Sequence, residues 1–368
     1  MGSLGFHRYG QFGQQRLSDL LLSAEQASAP TGREALLGPN PYPFNPYLSP
    51  LGLSLLQPPT PPRSNIHKAF QTCLSNIELD ATRAEQAKQH YNAIKNWLES
   101  RLPVEVRRVG SFQRHTKIRP ATINGIASPI DIDALVSFGD ARSMVSYGGT
   151  TGSSCLQMVS DALSQNRVYK LLKPTIDHPV VSLSYANEFY MELVPCYRNR
   201  LLPEDWLRDP ASYLVCNSSG DWEAADYDYD SKYISQANKD ADGKLIPAIK
   251  LIKQFCRNNR LELKSFQIEL LCVRLLTPFI SVMKDKGLTW EWQDILVFFL
   301  LTAPSIFSHD LSLPGSRSKV PPIENPYFLS IRMQQWGELF AKLSKNPLDS
   351  METLKLFKSA YGDRFPST

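Results

Sequence analysis

Two aspartates stand two apart, Asp131 and Asp133 in the run PIDIDALVSF, and eighteen residues separate them from the turn Gly110-Ser111-Phe112. Side chains alternate faces along a strand, so both carboxylates point the same way and suit one metal cluster. Mg²⁺ takes a few carboxylates plus substrate phosphates in preference to an all-protein cage. Two such ions, about 3.5–4 Å apart, clamp the attacking and leaving oxygens of an in-line displacement. That is the chemistry of phosphoryl transfer. Gly110 and Ser111 follow the strand-like VEVRRV, and a small-residue turn opening onto a helix lets N–H groups and a hydroxyl approach phosphate oxygens. Singly, a Gly-Ser pair is an ordinary turn and an alternating acidic pair an ordinary solvated strand. Their order and spacing together point to chemistry.

A third acid completes such a clamp. In EFYMELV, Glu188, Tyr190 and Glu192 share one face while Phe189, Met191 and Leu193 share the other, which nominates Glu192 as the third metal ligand. The alternative is a solvated strand carboxylate. Arg107, Arg108, Arg114, Lys117 and Arg119 surround the turn, so local basicity is expected where phosphates enter.

These residues resemble the nucleotidyltransferase superfamily that includes DNA polymerase β, poly(A) polymerases, oligoadenylate synthases and cyclic GMP-AMP synthase. The fuller run GSFQRHTKIRP followed by DIDALVSF is most similar to the bacterial CD-NTases, the cyclic-oligonucleotide synthases of CBASS antiphage systems. Arg114, Thr116 and Arg119-Pro120 match residues usual in those enzymes. A second block, 247–271 (PAIKLIKQFCRNNRLELKSFQIELL), resembles their helix pair, in which a Lys and a Ser contact the donor triphosphate. Lys253 and Ser265 occupy those positions, and Phe266 is the candidate for stacking on a base. Without the resemblance, Lys253 reads as a solvated helix lysine and Phe266 as a core aromatic. Two residues depart from the pattern: His115 stands where relatives often have Gly, and Glu192 replaces the more usual Asp.

The resemblance implies an α+β fold: a polymerase-β-like nucleotidyltransferase lobe with a mixed sheet, plus a helical C-terminal lobe, the active site in the cleft between them. It implies a synthase that joins NTPs, releases pyrophosphate and closes a short ring, with two Mg²⁺ ions that Mn²⁺ can replace. Asp131 and Asp133 would hold both ions. Glu192 would complete one and help activate the acceptor hydroxyl, Gly110, Ser111 and Arg114 would form the nucleotide turn, and Lys253 with Ser265 would neutralise the triphosphate. Implied partners are a downstream cyclic-nucleotide-sensing effector and CBASS accessory proteins, HORMA-like or ubiquitin-transfer-like. The terminal FPST, with no final Gly or Ala, argues against conjugation. Two other readings use the same residues: template-independent addition to RNA or linear oligoadenylate, and a non-catalytic nucleotide-binding scaffold.

The elements that must position these groups can be read along the chain. Residues 1–63 contain no Lys and concentrate Pro in NPYPFNPYLSPLGLSLLQPPTPPR, which predicts an irregular arm. From Asn65 to Leu102 the chain has neither Gly nor Pro and its apolar residues recur at helical spacing, predicting one long spine helix or two in succession, with Ser64 as a cap. Strands are expected over 104–109, 130–138, 168–172, 180–185 and 189–194, with a helix near 153–165. Strand signals fade after Pro195, and helices are expected from about 232 to the end. The domain boundaries that follow are 1–63 for the arm, 64–200 for the catalytic lobe and 201–368 for the helical lobe. The acidic-aromatic DWEAADYDYD, 221–230, reads as an exposed loop.

The 368 residues are 42% hydrophobic, enough to bury a substantial core. No run approaches about 18 consecutive apolar residues, the chain start lacks the basic-then-apolar order of a secretory leader, and a cytoplasmic address with no membrane contact is expected. Six cysteines show no CxxC, which indicates neither zinc nor disulfides. That absence, with a net charge of only +4, gives no indication of a nucleic-acid activator.

Overall fold

The computed structural model of this chain describes residues 64–123, 126–140, 151–186, 188–199, 212–344 and 351–367. The Pro-rich arm lies outside them. The chain divides into two compact units. One holds Ile77–Gln236 with Gly315–Val320, and the other holds Ala237–Pro314, Pro321 onward and the chain up to Asn76.

The first unit is built on a seven-stranded mixed sheet. Its strands are β1 (Glu105–Arg108), β4 (Ile130–Asp140), β5 (Thr175–Asp177), β6 (Val180–Tyr185), β7 (Phe189–Arg198), β8 (Tyr213–Cys216) and β9 (Trp222–Ala225). The order is β1-β4-β7-β6-β5, with β8 also on β7 and β9 on β8. A separate two-stranded ribbon joins β2 (Thr122–Ile123) to β3 (Ile126–Ala127). β4 and β7 run parallel and every other pair in the large sheet is antiparallel. Alternation along β4 sends Ile130, Ile132, Ala134, Val136 and Phe138 into one core. There they pack with Ile94 and Leu98 of α2 (Ala81–Arg101) and with Leu156, Val159 and Leu163 of α4 (Gly152–Ser164). The opposite face carries Asp131, Asp133 and Leu135, and Leu135 joins a smaller cluster with Val109, Val194 and Tyr213.

The spine resolves into two helices, α1 (Ser64–Ile77) and α2. They are interrupted before Asp80, whose carboxylate caps α2 by accepting the Arg83 N–H at 2.9 Å.

Three expectations are corrected. The segment 168–172 is not a strand: α5 (Arg167–Leu171) is helical because Asn166 Oδ1 caps it, accepting from Val168 N at 2.8 Å. Its VYKLL alternation is misleading, since Val168 and Leu171 are both exposed. The boundary at 200 does not hold, because β8 and β9 extend the sheet beyond it and this unit continues to Gln236. The run 221–230 is not an exposed loop. It forms β9 and the start of α6 (Tyr227–Asp240), with Asp226 and Asp230 buried. Asp226 accepts the Arg317 N–H at 2.8 Å and Asp230 accepts the Ser316 and Ser318 hydroxyls, both at 2.7 Å. β7 also runs through Pro195, which carries no N–H. Its partner on that edge changes there from β6, paired up to Leu193, to β8, paired from Cys196, so no ladder bond is lost.

The second unit is helical: α1, α7 (Leu245–Asn258), α8 (Ser265–Asp285), α9 (Trp292–Thr302), α10 (Pro326–Ser344) and α11 (Met351–Tyr361). Phe70 of α1 packs edge-on against Phe357, Tyr361 and Phe365, the first at 4.9 Å between centroids. Among the described residues α8 alone is long and apolar enough to cross a membrane, yet 72% of its most apolar window is buried here, as in a core helix. Polar Gln267, Glu269 and Arg274 interrupt it, which is why no continuous apolar run is visible in the sequence.

Candidate active site

The parallel register of β4 and β7 sets Asp133 directly beside Glu192 and Asp131 beside Tyr190. Asp131, Asp133 and Glu192 therefore share one sheet face on neighbouring strands. Asp131 is exposed, while Asp133 and Glu192 are half-buried. Burial, joined by the negative charge of Asp133 and Asp131, pushes the Glu192 carboxyl up to about 7, against the opposing pull of Lys117. Asp177 of β5 adds to the upward push.

The Gly110 turn closes one side of this face. Gly110 has φ +72° and opens α3 (Gly110–Gln113), and a Cβ built on it would fall 1.9 Å from Asp133 Oδ2. Only glycine accepts both the conformation and the approach. Val109 N–H donates to the Asp133 carbonyl at 2.9 Å, tying turn and strand together, and Thr116 N–H donates to the Ser111 carbonyl at 3.0 Å. Lys117 Nζ donates to Asp131 Oδ2 at 3.0 Å and to the Asp131 carbonyl at 3.1 Å.

Residues 65–238 match the Second Messenger Oligonucleotide or Dinucleotide Synthetase domain. Over that segment the chain carries the synthetase domain found in the CD-NTases. It is a nucleotidyltransferase of the cyclic-oligonucleotide synthase class. A cyclic AMP-AMP-AMP synthase from Acinetobacter sp. is 24% identical over 330 residues, covering 81% of this chain and 84% of that one. Two solved structures share the fold. CdnC of E. coli MS115-1 with ATP has a TM-score of 0.56 at 17% identity over 82% of this chain and 98% of that one. That protein was also solved as a CdnC:HORMA-deltaN complex. The Bradyrhizobium diazoefficiens CD-NTase CdnG with GTP has a TM-score of 0.55 at 12% identity, over 84% and 97%.

In this site the hard oxygen donors fit Mg²⁺ or Mn²⁺, and the proton affinity of Glu192 marks crowded negative charge that a cation would relieve. As the side chains stand, no three His, Cys, Asp or Glu among the described residues converge on one point. The Lys117 ammonium takes up Asp131 instead.

Much of the local basicity is engaged by the protein itself. Arg107 forms a two-point bond with Asp228 at 2.9 and 3.2 Å and also donates to Tyr213. Arg108 lies over the Tyr91 and Phe112 rings, and Arg119 donates to the Glu78 carbonyl. Arg114 is buried. His115 takes φ +59° with its ring exposed, so the position favours glycine and the imidazole faces outward.

Lys253, Ser265 and Phe266 belong to the helical unit. Lys253 of α7 is buried and donates to Glu269 of α8 at 2.6 Å, so it is neither a solvated helix lysine nor a bare cation. Ser265 is exposed at the first turn of α8 and Phe266 is half-buried beside it. Two site neighbours had no role in the sequence reading. Lys117 was visible only as one member of a basic cluster. Tyr227, whose phenol burial and the charge of Asp133 push up, lies inside the run 221–230 that reads as an exposed loop, and carries no motif of its own.

Proposed function

We propose that this chain is a divalent-cation-dependent synthase that joins NTPs into a cyclic oligonucleotide, with release of pyrophosphate, as a second messenger in antiphage defence. The observation that carries this is the register pairing Asp133 with Glu192 on the face that also bears Asp131, against the Gly110 turn.

Asp131, Asp133 and Glu192 would hold two Mg²⁺ ions, with Mn²⁺ as a substitute; when bound, such ions supply charge neutralisation on the transferring phosphoryl group. The acceptor hydroxyl oxygen forms the new bond to the α-phosphorus, and the α–β bridging P–O bond breaks to release pyrophosphate. Glu192 would help activate the acceptor hydroxyl by taking up its proton. Gly110, Ser111 and Arg114 orient the donor phosphates, and Ser265 with Lys253 meets the triphosphate. For Lys253 that contact requires sharing its ammonium between Glu269 and the ligand. Phe266 stacks on a base. No protein nucleophile is used; orientation and preorganised charge carry the acceleration. A cyclic-nucleotide-sensing effector acts downstream. The HORMA-deltaN complex of the E. coli protein makes a HORMA-type accessory partner the first to test.

The test incubates purified protein with radiolabelled ATP alone, suggested by the Acinetobacter relative, and with all four NTPs, each with Mg²⁺ or Mn²⁺. Phosphatase treatment and mass spectrometry follow, beside an Asp131→Asn/Asp133→Asn control. A phosphatase-resistant ring lost in the control is expected. A linear ladder would replace this reading with RNA-type or oligoadenylate synthesis, and nucleotide binding without turnover, also in the presence of a HORMA partner, would replace it with a scaffold.

A further inference from the structure

The corner where β9 enters α6 is held by a distant stretch of chain. Gly315–Val320 belongs to the first unit, although the residues on either side of it in sequence belong to the second. Ser316 and Ser318 donate their hydroxyls to Asp230, Arg317 N–H donates to Asp226 Oδ2, and Asp226 N–H donates back to Ser318 Oγ at 2.8 Å. One hydroxyl, that of Ser318, thus serves both aspartates. The Arg317 guanidinium lies 3.4 Å from Asp226 Oδ1 and donates to Ser212, which itself donates to Asp226. Asp226 is 0% and Asp230 3% exposed, so these bonds are shielded from water. Hydrogen bonds to ionised groups in such a setting fix geometry as well as energy. Gly315 opens the segment at φ +77°, where a Cβ would lie 3.0 Å from the Tyr229 hydroxyl.

What the corner carries lies against the acid-bearing face. Tyr227 and Asp228 stand between the two aspartates. Tyr227 packs on the cluster of Val109, Leu135, Val194 and Tyr213, and burial together with the Asp133 charge raises its phenol. Val109 precedes the Gly110 turn and donates its N–H to the Asp133 carbonyl, while Leu135 follows Asp133 on the same strand face. Asp228 clamps Arg107 of β1 at two points, and Arg107 pairs with Leu135 in the ladder. The corner therefore backs both the turn that starts at Gly110 and the strand that carries Asp133.

We propose that Ser316 and Ser318 are positioning residues for the acid face: through Asp226 and Asp230 they hold the β9–α6 corner against Val109 and Leu135 and so set the place of the Asp133 carboxylate. This rests on the cation-dependent synthase reading. The test compares the full chain with Ser316→Ala/Ser318→Ala and with Ser316→Thr/Ser318→Thr, which keeps the hydroxyls. A third variant, Thr151→Ala, removes the side-chain cap of α4, which packs on the opposite sheet face. All are read well below their melting temperatures, by Mn²⁺ calorimetry and by turnover at saturating Mn²⁺. Outer partners of metal ligands typically carry about 10- to 100-fold of affinity or activity. Mn²⁺ affinity and kcat of the double alanine variant are expected to fall about tenfold, with NTP KM within about twofold of the parent. The threonine variant recovers both, and Thr151→Ala loses melting temperature alone. If the double alanine variant does not fold, Ser316→Ala, which leaves Ser318 on Asp230, is expected to show losses of about threefold. Parental affinity and turnover in the folded alanine variant, a threonine variant no better than the alanine one, or equal losses in Thr151→Ala would each overturn the proposal. A parent chain that binds Mn²⁺ and makes no product overturns the synthase reading, and the Mn²⁺ comparison still decides the positioning role. A parent chain that binds no Mn²⁺ overturns both.

Discussion

Gly110 and Asp133 touch so closely that no side chain fits between them: a Cβ on Gly110 would lie 1.9 Å from Asp133 Oδ2. The turn proposed to grip phosphate and the strand that carries the acids are thus one packed object. Gly110→Ala is expected to displace the Asp133 carboxylate and strain a backbone at φ +72°. Displacements of about 1 Å at a reacting centre cost on the order of 100-fold in rate, and an αL alanine costs about 1–2 kcal/mol. Steady-state turnover of the variant should therefore fall by about two orders of magnitude, while its melting temperature drops only a few degrees. Activity within threefold of the parent would show that Asp133 needs no such support.

The parts of this site legible in the sequence are those set by alternation. Period two along 130–138 and 188–194 already placed Asp131, Asp133 and Glu192 on one face each, and the parallel ladder brings the faces together. Less legible were features set by tertiary partners. Val168 and Leu171 look strand-like, yet a single Asn166 cap makes their segment helical. Asp226 and Asp230 look solvated, yet backbone and hydroxyl groups from 315–320, far along the chain, satisfy them in the interior. Lys253 looked like a free cation because its partner Glu269 sits on the next helix, at a separation no local pattern reports.

Glu192 gives the protein a pH signature. Its carboxyl rises from an ordinary 4.5 to about 7 in the folded chain. Between those values the folded state keeps a proton that the unfolded state has lost, so stability falls as pH rises through this window and levels off above it. Thermal melts in chelator from pH 4.5 to 8 should show this decline, and Glu192→Gln should remove part of it. The buried Asp230 carboxyl is also raised and contributes with the same sign, so the difference between parent and variant is the quantity to read. Cation binding must expel the Glu192 proton, so Mn²⁺ affinity by calorimetry should weaken about tenfold per pH unit below 7. A pH-independent affinity would remove Glu192 from the ligand set.

Lys117 and a divalent cation compete for Asp131. The ammonium sits 3.0 Å from Asp131 Oδ2 and is itself largely buried, while the carboxylate is half-exposed. Pairs with an exposed partner are worth up to about 1 kcal/mol, so Lys117→Met should tighten Mn²⁺ binding in the absence of nucleotide by up to about fivefold. Once freed by the cation, the same ammonium is available to substrate phosphate, and the NTP KM of the variant should rise. Weaker cation binding in Lys117→Met would mean that Lys117 organises Asp131 for the ion, the reverse of competition.

Lys253 and Glu269 form a pair with Lys253 at 5% and Glu269 at 0% side-chain exposure. Removing the lysine alone strands a buried carboxylate, which typically costs about 3–5 kcal/mol, so lost activity in Lys253→Ala would report folding as much as chemistry. Replacing both charges by neutral groups of similar volume is often close to neutral for stability. Lys253→Met/Glu269→Gln should therefore melt near the parent, while Lys253→Met alone melts well below it. The double variant then isolates the role of the ammonium. If it meets the donor triphosphate, NTP KM stays raised although stability has returned. If the pair serves only to join α7 to α8, turnover and KM recover together with the melting temperature, and Lys253 leaves the list of nucleotide contacts.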